Sequence, residues 1–118
     1  MMSESDREHL LRILETARNL QIRTAGRDKS EFTVDSEISR STLQSIAAIG
    51  DEADQLSEDV RRRYLSRREA VRLNRRMFSG IACFYRNNIG ALFTGIISEL
   101  PLFIQHVELI LDEDAHTL

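Results

Sequence analysis

The chain has 118 residues, 42% of them hydrophobic and 30% charged, with a net charge of −3. That length predicts a single domain, residues 1–118, able to bury about two-thirds of its unfolded surface without staples. Cys83 is the only cysteine and His9, His106 and His116 are scattered, which excludes an internal disulfide, leaves no metal or cofactor expected, and makes a reducing cytoplasmic setting the default.

The opening stretch MMSESDREHL is polar, unlike a signal sequence, and no apolar run approaches the ~18 residues of a membrane span, so no membrane partner is expected. Ser5 and Glu8 have the spacing of a capping box at a helix start. Behind them Leu10, Ile13, Leu14, Ala17 and Leu20 recur at three and four, which predicts one buried helical face. Gly26 is suited to the left-handed conformation that closes a helix. RDKSEFTVDSE reads as a polar connection with a short helical turn after Ser30. A second amphipathic run follows through Ile38, Thr42, Ile46, Ile49, Ala53 and Leu56. Ser57, Glu58 and Asp59 then begin a fresh helix over VRRRY.

A third long pattern runs through Val71, Asn74, Phe78, Ile81 and Tyr85. Gly80 inside it costs about 1 kcal/mol of helix propensity, which close approach of another helix would explain. Asn88 is placed to cap the last helix, whose apolar side is Ile89, Leu92, Phe93, Ile96, Leu100, Phe103, Val107 and Ile110. Pro101 removes a backbone donor and clashes with the preceding turn, so a kink is expected near Ile97 to Leu100. Nowhere do four to eight residues alternate cleanly between apolar and polar. The expected fold class is all-α, an up-and-down bundle of four to five helices.

Charge is unevenly placed. Eight of the sixteen basic residues lie between Arg61 and Arg76, against one acid, Glu69. Arg68, Arg72, Arg75 and Arg76 form a cationic stripe at helical spacing, suited to RNA phosphates or to an acidic partner. The plainer reading is a solvated face with internal ion pairs. Tyr85, Arg86 and Asn87 combine stacking, phosphate and base-edge chemistry; as a structural set they would be a half-buried tyrosine followed by a turn. Asp51 is a further binding candidate, whose plainer reading is a pair with an arginine of the stripe; Cys83 is expected to be a small core residue, and His9 and His106 to sit at the surface or its boundary.

Two segments carry a more specific likeness. AIGDEADQLSEDVRRRY, from Ala48 to Tyr64, resembles the signature of HepT-like proteins, in which an Ile-Gly-acid run leads through Leu-Ser and a short helix to Arg-x-Arg-Tyr. ISELPLFIQHVELIL, from Ile97 to Leu111, is similar to that family's closing helix, where Leu-Pro starts an amphipathic run. The first helix fits in length and pattern. The resemblance implies the HEPN group: small helical bundles, commonly homodimers, encoded beside a minimal nucleotidyltransferase. It implies a toxin–antitoxin module whose toxin is a metal-independent ribonuclease, silenced when the partner attaches AMP to a tyrosine. The family's motif is Arg, four residues, His, one residue, Tyr. Histidine suits proton transfer near neutral pH and arginine suits the developing phosphate charge.

Counting back from Leu100-Pro101 places that motif on Met77, Ala82 and Phe84. A shift by one residue gives Phe78, Cys83 and Tyr85, which restores a phenol but neither base nor cation. The resemblance therefore implies the family's frame without its catalytic residues. The expected function is homodimerisation and binding, to a nucleotidyltransferase partner or to RNA. One alternative is an active endoribonuclease with a histidine-free site drawn from Arg75, Arg76, Tyr85 and Arg86. A further alternative is a plain helical interaction module.

Overall fold

The chain's first helix begins two residues earlier than the Ser5–Glu8 spacing suggests. Ser3 is the cap: its hydroxyl accepts the Asp6 N–H at 3.1 Å and donates to the Asp6 carboxylate at 3.0 Å. An acid three residues after a serine thus occurs twice in this stretch, and the pair whose acid faces inward sets the start. The computed structural model describes residues 2–64 and 89–115. Among them are five α-helices: α1 (Glu4–Thr24), α2 (Glu37–Ala53), α3 (Glu58–Tyr64), α4 (Ile89–Ser98) and α5 (Leu100–Ala115), with a 3-10 turn at Lys29–Glu31. No strand occurs among the described residues, and the molecule is an all-α bundle. Met77, Ala82 and Phe84, with Arg68, Arg72, Arg75, Arg76, Cys83, Tyr85, Arg86, Asn87 and Asn88, lie outside the described residues, as does the third long helical pattern.

Helix α1 buries Leu10, Ile13, Leu14, Ala17 and Leu20, the face its periodicity predicts. Leu10, Ile13 and Leu20 are at most 1% exposed, so each contributes about 1.5–3 kcal/mol of burial. The helix ends in a type II turn. Ala25 is extended (φ −60, ψ 132), Gly26 takes φ 75, and the Arg27 N–H returns to the Thr24 carbonyl at 3.1 Å. Positive φ at the third turn position is where glycine is required. The 3-10 turn is closed by Asp28, whose carboxylate accepts the Lys29 N–H at 2.9 Å while Glu31 accepts the Asp28 N–H at 2.6 Å. Phe32 is buried beyond it and meets Phe93 of α4, ring centroids 5.4 Å apart.

Ser36 caps α2, accepting the Ser39 N–H at 3.2 Å. The buried side of α2 holds Thr42, Ile46, Ile49 and Ala53 as its pattern predicts, but also Ser39, Ser45 and Gly50. Small side chains there suit packing against α1. At the far end, the Ala53 carbonyl accepts both the Leu56 N–H at 3.1 Å and the Arg61 guanidinium of α3 at 2.8 Å. Leu56 and Val60 are buried at this corner.

The long apolar pattern of the C-terminal third divides at Glu99 into α4 and α5, bent by 43° at the break. Pro101 is the second residue of α5. A first-turn N–H has no partner within its own helix, so proline is tolerated there. Leu92, Ile96, Leu100, Val107 and Ile110 are buried, and Phe93 and Phe103 pack partly buried against the same core. Helix α5 packs on both α1 and α4. It runs antiparallel to α1: Asp114 near its end accepts the Met2 amide at 2.8 Å and meets Arg7 at 3.5 Å, while Arg18 pairs with Glu108 at 2.6 Å. No single helix among the described residues is long and apolar enough to cross a membrane.

Candidate functional site

Of the residues that the sequence singles out for binding, Asp51 is the one the structure describes. It is exposed on α2 and lines a groove between α1 and α2 with His9, Arg12, Glu15, Thr16, Ala48, Glu52 and Gln55. Helical spacing creates this grouping. His9, Arg12 and Thr16 lie at intervals of three and four on α1, and Ala48, Asp51, Glu52 and Gln55 do the same on α2.

At the centre of the groove, Glu52 ties the two helices together. Its Oε1 accepts Arg12 Nε at 3.0 Å, and its Oε2 lies 2.7 Å from His9 Nδ1. Arg12 Nη2 also approaches His9 Nδ1, at 3.0 Å. One ring nitrogen does not donate to a carboxylate and accept from a guanidinium at once. A carboxylate oxygen only accepts, so the 2.7 Å contact with Glu52 calls for a proton on Nδ1, and the Arg12 contact with that nitrogen is then not a hydrogen bond. The histidine side chain is 15% exposed, against 28% for Glu52 and 49% for Arg12. His9 therefore lies at the boundary, as its sequence reading expects, but as a partner in an inter-helix network.

The cluster can orient an imidazole and fasten two helices. Its electrostatics do not suit phosphate: Glu15, Asp51 and Glu52 outnumber Arg12 on the described wall. A second depression, bounded by Arg23, Arg27, Glu31, Ser36, Glu37, Ile38 and Ser41, has its cations engaged. Arg23 donates to the Ser45 hydroxyl, and Arg27 donates to the Arg23 carbonyl at 3.3 Å and to Glu31 at 3.1 Å. The Asp28 N–H, then Arg27, hold the Glu31 carboxyl below its usual value.

Sequence reasoning missed the joint between α1 and the start of α3. Asp6, 5% exposed, accepts the Ser57 N–H at 2.8 Å through Oδ1 and the Ser57 hydroxyl at 2.7 Å through Oδ2. The same hydroxyl accepts the Val60 N–H at 3.3 Å, capping α3. Burial pushes the Asp6 carboxyl up, but the Ser57 hydroxyl and amide, the Ser3 hydroxyl and the nearby His9 together hold it below its usual value. Ser57 was legible as a helix start; its partner, far away in the chain, gave no signal. Asp114, near the end of α5, is only 3% exposed.

Among the described residues, no group of three or more His, Cys, Asp or Glu side chains is arranged to hold a metal ion. No protein-family model, no curated protein and no solved structure matches the chain.

Proposed function

We propose that the chain is a HepT-like HEPN protein that keeps the family's helical frame and has lost its ribonuclease motif. It works in the cytoplasm as a homodimer, by binding a nucleotidyltransferase partner or RNA within a toxin–antitoxin-type module. The observation that carries this reading is the register counted from Leu100-Pro101. It sets Met77, Ala82 and Phe84 where the resemblance calls for Arg, His and Tyr, and neither a thioether nor a methyl group moves a proton or steadies phosphate charge.

The order of elements supports the same reading. The Ile49-Gly50-Asp51 run falls in the last turns of α2. A seven-residue α3 then carries Arg61 through Tyr64, and α5 opens on Leu100-Pro101. Each quoted block of the resemblance thus coincides with an element boundary.

Expression in a bacterial host tests the loss of toxicity: growth is expected to continue at the rate of an empty-vector control. Growth arrest relieved by co-expression of a minimal nucleotidyltransferase would overturn the inactive reading. Sedimentation of the purified chain tests the dimer, and a monomer independent of concentration would refute it.

A further inference from the structure

We draw no further inference here: the strongest candidate, the His9–Arg12–Glu52 cluster in the groove between α1 and α2, has its polar atoms engaged with one another, and nothing in the structure shows what chemistry would occupy the groove.

Discussion

Two of the carboxylates that tie α1 to other parts of the chain, Asp6 and Glu52, do so under different conditions. Asp6 is 5% exposed and meets Ser57 through both oxygens. The Glu52 side chain is 28% exposed and meets an arginine that is itself half in water. Formal charge would rank the second joint higher, because it pairs opposite ions. Burial reverses the ranking. Water competes for the groups around Glu52 and screens them, while the buried Asp6 carboxylate depends on the Ser57 amide and hydroxyl for its bonds, although Ser57 itself is exposed. What fastens these helices is set less by formal charge than by how deeply the carboxylate itself is buried.

Replacing each carboxylate in turn breaks or sharpens this contrast. Asp6→Ala removes the acceptor of the Ser57 amide and hydroxyl, which solvent can then reach, and is expected to destabilise the fold by about 2 kcal/mol. Urea unfolding measures it, and a loss below about 1 kcal/mol would put the two joints on equal terms. Glu52→Gln keeps an acceptor and removes one charge, and is expected to cost less than about 1 kcal/mol. Added salt should narrow the difference between Glu52→Gln and the parent.

Acid separates the joints in another way. The folded Asp6 carboxyl lies below its usual value. Its contribution is therefore complete above the ordinary aspartate pKa of about 3.9 and is lost as pH falls through the lower folded value. Urea midpoints followed from neutral to strongly acidic pH should fall less steeply in Asp6→Asn than in the parent chain. Equal slopes would mean that Asp6 is not a source of the acid response.

The smallest effect concerns a buried polar group lacking what Asp6 has. Thr42 is fully buried and its hydroxyl has no hydrogen-bond partner among the described residues. Thr42→Val exchanges that hydroxyl for a methyl group of similar size. It is expected to be neutral or to stabilise by up to about 1 kcal/mol in the same unfolding measurement. Clear destabilisation would show that the hydroxyl is satisfied.

The helices themselves were legible because their apolar positions repeat locally. Leu10, Ile13, Leu14, Ala17 and Leu20 on α1 and Ile46, Ile49 and Ala53 on α2 are buried where the spacing puts them. Ser39 and Ser45 escaped notice because a hydroxyl does not register in an apolar pattern, although both are buried. The α1 cap was displaced from Ser5 to Ser3 because two serine–acid pairs compete and only tertiary burial of Asp6 decides between them. Pairings such as Asp6 with Ser57, Met2 with Asp114 and His9 with Glu52 join residues 51, 112 and 43 apart. No periodicity spans such separations. Asp51 lies in α2, whereas the arginine stripe expected to pair with it and Tyr85 to Asn87 lie outside the described residues.

The central claim is that a frame of this kind stands without its catalytic residues, and incubation of the purified full chain with end-labelled RNA tests it most directly. The account predicts intact RNA with or without a metal chelator. Cleavage that survives the chelator and is abolished by Arg75→Ala or Tyr85→Phe would contradict it.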